Sequence, residues 1–235
     1  MIPFRNDPNS SSGPTLFSIT TAPTTAPSTG QPATGALAFR YVAIGASDTA
    51  GVGAADPPTG SWPARLAARL PVRTDYRNLG VSGSIASQAA REQVPTAVDL
   101  RPELVTVWLA VNDLNAGMGS AEYAAALRSV IEPLVNRTKA QIFVGNTPDL
   151  RAIPAYAESD TAALLARIVA YNKEIAGLAT AYPGRVVTVD LFAGSAGLTS
   201  TITVSGDGFH PSDAGYALIA DRFASVIAAA GVPLR

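Results

Sequence analysis

Ser47 lies in Ile44-Gly45-Ala46-Ser47-Asp48-Thr49, directly after an apolar run, and the chain's one histidine lies in Asp207-Gly208-Phe209-His210-Pro211-Ser212-Asp213 near the C-terminus. A serine hydroxyl is a poor nucleophile at neutral pH and needs a base to take its proton, for which an imidazole is the usual choice. His210 is the only imidazole available. Such a base needs a group to hold its tautomer and stabilise the imidazolium, and Asp207, three residues earlier, can reach back within one turn. Ser47, His210 and Asp207 could therefore form a complete triad. A tetrahedral intermediate also needs donors aimed at its oxyanion. The Ser47 backbone amide, the Gly80 amide in Asn78-Leu79-Gly80-Val81-Ser82-Gly83 and the Asn112 side chain in Ala110-Val111-Asn112-Asp113 are the candidates. Gly80 has no Cβ, so a substrate can come close to its amide.

Bringing these segments together requires a scaffold that ends several strands side by side. Short, nearly continuous apolar runs bounded by Gly, Asn or Asp recur at 39–44, 76–79, 104–110, 141–145 and 186–191, the pattern of parallel strands buried on both faces. Helical stretches are predicted between and after them at 61–70, 84–92, 120–136, 160–182 and 212–230. Leu164, Ile168, Tyr171, Ile175 and Leu178 form one apolar stripe for a sheet face. Ser61 before Trp62-Pro63, and Ser120 followed by Glu122, resemble N-terminal caps. Strand and helix alternate throughout, which predicts βαβ units and a doubly wound, three-layer α/β/α sandwich. In such sheets ligands sit beyond the carboxyl ends of the strands. Ser47, Gly80 and Asn112 each follow a predicted strand, and His210 opens the final helix.

The chain has 235 residues, of which 47% are hydrophobic and 15% charged, enough apolar surface for one sizeable folded domain. A net charge of −1 supplies no positive field for phosphate backbones, which argues against nucleic-acid binding. With no cysteine and one histidine, thiolate, iron–sulfur and multi-histidine metal chemistry is excluded. No apolar run has the length of a membrane span. Pro, Ser, Thr and Gly supply more than half of residues 1–36, so these read as an arm or linker, whose patch Leu16-Phe17-Ser18-Ile19 could dock on a domain over 37–235. That composition resembles the stalks of exported proteins. The expected address is extracytoplasmic with a leader removed, or else cytoplasmic.

Taken together, the four blocks resemble those of the SGNH hydrolases, also called GDSL esterases and lipases. Matched block by block over about residues 40–223, Ser47 falls on the nucleophile, Gly80 and Asn112 on the oxyanion donors and His210 on the base, with Asp207 as its orienting acid. The resemblance implies a flavodoxin-like fold with a five-stranded parallel sheet, and ester hydrolysis through an acyl-enzyme without metal or cofactor. Two positions depart from the family pattern: Ala46 stands where Asp usually precedes the nucleophile, and Ala110 replaces the Gly of G-x-N-D, adding a methyl that narrows the site. Asp113 and Asp213 read as turn and cap residues. Asp48 reads as a helix-start residue, with pocket lining as its alternative. A G-x-S-x-G elbow is absent, since Thr49 holds the second Gly position, which argues against the α/β-hydrolase fold. The expected substrate is a small ester with a short to medium acyl chain. Carbohydrate O-deacetylation or acyl transfer at the same site is the alternative, and an inactive binding module the remote one.

Overall fold

Every apolar run read as a strand is one in the computed structural model, which describes residues 38–235 apart from 196, 197 and 200. The arm expected over 1–36, with its patch at 16–19, lies outside the described residues. The strands are β1 (Phe39–Gly45), β2 (Thr74–Asn78), β3 (Leu104–Trp108), β4 (Gln141–Gly145) and β5 (Val186–Val189). They form one parallel sheet in the order β2-β1-β3-β4-β5.

Alternation along each strand divides the apolar side chains between two cores. Val42 and Ile44 of β1, Val105 and Val107 of β3, and Ile142 and Val144 of β4 face one way. Tyr41, Ala43, Leu104, Trp108 and Phe143 face the other. The first face is covered by α4 (Ala86–Glu92), α5 (Val94–Asp99), α7 (Ser120–Arg137) and α8 (Thr161–Ala181), the second by α3 (Trp62–Ala67) and α9 (Asp213–Ala229). This is the expected three-layer sandwich. The predicted stripe on α8 is buried at all five positions. Trp62 is fully buried, stacked on Phe223 with ring centroids 4.2 Å apart.

Local differences from the expected boundaries have identifiable causes. Short helices α1 (Ser47–Ala50), α2 (Pro57–Gly60) and α6 (Val111–Asn115) are too brief to show a periodic stripe. β3 stops at Trp108 instead of reaching residue 110, because Ala110 takes φ 155°, a value outside the strand region. β5 stops at Val189, after which the Leu191 and Phe192 amides donate to the Asn146 side chain. Ser61 does stand at the N-cap of α3, yet its hydroxyl makes no cap hydrogen bond. Ser120 is the first residue of α7, and Gly119 holds the cap position. Asp160 caps α8 by accepting from the Ala162 and Ala163 amides.

The chain leaves β1 toward β2 on one side, and β3 lies on the other. The carboxyl ends of β1, β2 and β3 therefore meet at the point where the strand order reverses, the usual place for a ligand crevice in such sheets.

Candidate active site

Ser47 opens α1 immediately after β1, and its side chain is nearly buried, at 7% exposure. Its carbonyl accepts from the Gly51 and Val52 amides, which fixes the turn behind the hydroxyl. His210 reaches it from the far end of the chain. The histidine segment is clasped before α9: Val204 pairs antiparallel with Pro211, the Ser205 amide donates to the His210 carbonyl at 2.8 Å, and the Ser212 amide donates to the Thr203 carbonyl at 2.8 Å. Ser212 then caps α9, its hydroxyl accepting from the Gly215 amide at 3.3 Å.

Ser47 Oγ lies 2.8 Å from His210 Nε2, and His210 Nδ1 lies 2.6 Å from Asp207 Oδ2. The other Asp207 oxygen accepts from the Ser205 hydroxyl and from the Phe209 and His210 amides, at 2.7, 2.9 and 2.9 Å. Burial pushes this carboxyl up. The hydrogen bonds from the His210 ring, the Phe209 amide, the Ser205 hydroxyl and the His210 amide outweigh it and hold the carboxyl far below the usual range. An ionised Asp207 accepts only, so Nδ1 carries the proton and donates to it, and Nε2 is left as the acceptor for the Ser47 hydroxyl. The three residues that the sequence singled out are thus brought into one hydrogen-bonded line.

The candidate oxyanion donors differ in what their hydrogens already bond. Asn112, in α6, points one Nδ2 hydrogen at the Ser84 carbonyl, 3.0 Å away, and keeps its second free of any hydrogen bond among the described residues. The Gly80 amide is already taken: it donates to Asn78 Oδ1 at 3.0 Å, and the same Asn78 side chain donates to the Thr49 carbonyl. Gly80 is glycine because α1 presses on it, for a Cβ there would come within 2.7 Å of the Ala50 nitrogen. Its missing side chain therefore makes room for α1 and not for a substrate. Four residues on, the Ser84 amide donates to the Val81 carbonyl, closing a turn whose third residue, Gly83, has φ +79°. A positive φ at that place is what a type II turn demands of a glycine. No described residue accepts from the Gly83 amide.

Ala110 occupies φ 155°, ψ −39°, a conformation that glycine visits easily and alanine does not. The substitution that the sequence marked as a departure thus shows as backbone strain one residue before α6. Asp113 is fully buried, and both its oxygens accept from the Ala86 amide, at 3.1 and 3.2 Å, so it caps α4 from another segment. Burial pushes its carboxyl up to about 6. Asp213 pairs with Arg65 at 3.3 Å.

Beside the Ser47–His210 pair lies a cleft walled by Trp108, Val111, Leu150, Ile153, Leu198 and Ile219. Asp48 sits in the first turn of α1 and also lines this cleft, so both of its readings hold. Burial raises its carboxyl, against the opposing pull of its own amide, His210 and Ser47. No sequence spacing could have shown Asp48 and Trp108 lining one cleft. No described helix is long and apolar enough to cross a membrane.

A serine hydroxyl, an imidazole and a carboxylate thus stand in line at the switch point of a doubly wound sheet. The model of the GDSL-like lipase/acylhydrolase family matches residues 43–218, and the chain belongs to that family. Solved structures share its fold at low identity. A member of the lipolytic G-D-S-L family from Veillonella parvula DSM 2008 is 17% identical with a TM-score of 0.65, covering 81% of this chain and 99% of that one. The enzyme LAE5 from the metagenome of Lake Arreo, Spain, is 21% identical with a TM-score of 0.65, covering 83% and 97%. A two-domain esterase active on acetylated mannans is 16% identical with a TM-score of 0.58, covering 83% of this chain and 51% of that one. No match is found among curated proteins.

Proposed function

We propose that the protein is a serine esterase in which Ser47 is the nucleophile, His210 the general base and then acid, and Asp207 the group that orients His210. The observation that carries this reading is the 2.8 Å approach of Ser47 Oγ to His210 Nε2, with Asp207 behind the ring at 2.6 Å. As Oγ attacks the ester carbonyl, its proton passes to Nε2, and the imidazolium is stabilised by the ionised Asp207. The tetrahedral intermediate collapses when Nε2–H protonates the departing alcohol, leaving Ser47 acylated. Water then repeats the sequence and frees the acid. In this reading the oxyanion is met by the Ser47 amide, the second Asn112 Nδ2 hydrogen and the Gly83 amide, which replaces Gly80 as the third donor.

The apolar cleft suits a short to medium acyl chain, its walls supplying the area that a hydrocarbon removes from water. A second reading, O-deacetylation of a carbohydrate, draws support from the fold shared with the esterase active on acetylated mannans. Hydrolysis of p-nitrophenyl esters from acetate to palmitate, and of acetylated mannan, tests both. Turnover that peaks at short to medium chains and falls by several orders of magnitude in Ser47→Ala supports the esterase. Acetate release from the polysaccharide alone moves the assignment to deacetylation, and undiminished turnover in Ser47→Ala overturns the mechanism.

A further inference from the structure

Gln93 is almost wholly buried, at 2% exposure, at the junction between α4 and α5, and its side chain makes a pattern that simple packing does not require. Its Oε1 accepts from the Gly45 amide at 3.0 Å, and its Nε2 donates to the Gly45 carbonyl at 2.9 Å. Gly45 is the last residue of β1, two before Ser47. The N–H and C=O of one residue in a parallel strand point to the same neighbour, here β2, which ends at Asn78. Beyond that end the following segment returns only one bond to this residue, from the Val81 amide to the Gly45 carbonyl at 3.1 Å. A primary amide carries the same donor and acceptor as a peptide group. Gln93 therefore stands in for the strand residue that β2 no longer supplies.

Gly45 cannot be stiffened by a side chain of its own, because a Cβ would fall 2.0 Å from Thr49 Oγ1. Its orientation must come from outside. The same Nε2 lies 3.3 Å from Ser84 Oγ, and the carbonyl of Ser84 accepts from Asn112. One buried amide thus touches the residue that leads into the nucleophile and the residue that holds Asn112 and follows Gly83.

We propose that Gln93 is a positioning residue for the reaction: it locks the end of β1 to the 80–85 loop, and so fixes the Ser47 hydroxyl against the amides that receive the oxyanion. The inference rests on Ser47 being the nucleophile. An atom displaced by about 1 Å can cost on the order of 10²-fold in rate, so the effect belongs in kcat, with KM little changed because neither Gln93 nor its partners Gly45 and Ser84 line the acyl cleft.

The test compares Gln93→Leu, Gln93→Glu and Arg185→Met, all in the full chain, with p-nitrophenyl butyrate and with a fluorophosphonate that labels the nucleophilic serine. Arg185 is the structural control, a clamp on the carbonyls of Val135, Thr138 and Ala140 at the start of β4 and β5. Gln93→Leu should lower kcat and the labelling rate by about 10- to 100-fold with KM changed by less than about threefold. Arg185→Met should lower the melting temperature and leave kcat and labelling intact. Gln93→Glu keeps the acceptor for the Gly45 amide and loses the donor as it ionises, so its kcat should fall between wild type and Gln93→Leu and decline further as pH rises. If Gln93→Leu does not fold, Gln93→Glu decides. A folded Gln93 variant with wild-type kcat and labelling, or a loss no larger than that of Arg185→Met at equal destabilisation, overturns the proposal. Undiminished activity in Ser47→Ala would instead overturn the reading of the site on which it rests.

Discussion

Replacing Asn112 by alanine isolates a single donor of the proposed oxyanion site. Its Nδ2 has two hydrogens, of which one is spent on the Ser84 carbonyl at 3.0 Å and the other is available to a developing negative charge. Loss of one donor to a charged oxygen costs about 10²–10³ in kcat, or roughly 2.7–4 kcal/mol of transition-state stabilisation. The ground-state ester carries little charge on that oxygen, so KM should change far less than kcat. The substitution also leaves the Ser84 carbonyl without this donor, a loss of about 0.5–1.5 kcal/mol that lowers the melting temperature by a few degrees. The assay is steady-state hydrolysis of p-nitrophenyl butyrate by wild type, Asn112→Ala and Asn112→Asp at a temperature well below every melting transition. Asn112→Asp keeps the shape, removes the donor and adds a charge of the wrong sign, so it should be no faster than Asn112→Ala. A kcat within about threefold of wild type, or a loss confined to KM, would refute the reasoning that this amide meets the oxyanion.

Two further outcomes follow from strain and burial. Ala110 sits at φ 155°, so Ala110→Val should destabilise the fold by more than about 2 kcal/mol in urea, while Ala110→Gly, relieved of strain of about 1–3 kcal/mol, should be at least as stable as wild type. A valine variant as stable as wild type would contradict the strained backbone. Asp113 is raised by burial from 3.8 to about 6, so between those values the native state holds a proton that the unfolded chain has lost. Its contribution to stability is complete below that window and is lost as pH rises through it, by roughly 3 kcal/mol. The difference in unfolding free energy between wild type and Asp113→Asn, followed from pH 4 to 7, should shift in favour of the asparagine by about that amount. A difference that does not vary with pH would show that Asp113 is ionised without penalty.

How much of this was legible from sequence follows from what each feature depends on. The central strands β1, β3 and β4 were readable because burial on both faces leaves apolar runs such as Val105 and Val107 beside Leu104 and Trp108, whereas the edge strand β2 has no buried residue. The line from Ser47 through His210 to Asp207 was readable because a lone histidine leaves no choice of base. The bond from the Gly80 amide to Asn78 was not readable because the direction of an amide depends on turn geometry: Gly80 and Gly83 are both glycines after β2, and of the two only Gly83, at positive φ, has an amide with no acceptor among the described residues. Ser120 was misread as a cap because a one-residue shift toward Gly119 leaves the sequence pattern unchanged. Gln93 left no trace, since its partner is the backbone of Gly45, a group that every residue carries.

The most direct test of the central claim is to treat the protein with a fluorophosphonate and locate the adduct by peptide mass spectrometry, in wild type and in His210→Ala. The account predicts one adduct, on Ser47, formed much more slowly when His210 is absent. Modification of another serine, or labelling of Ser47 at the same rate without His210, would contradict it.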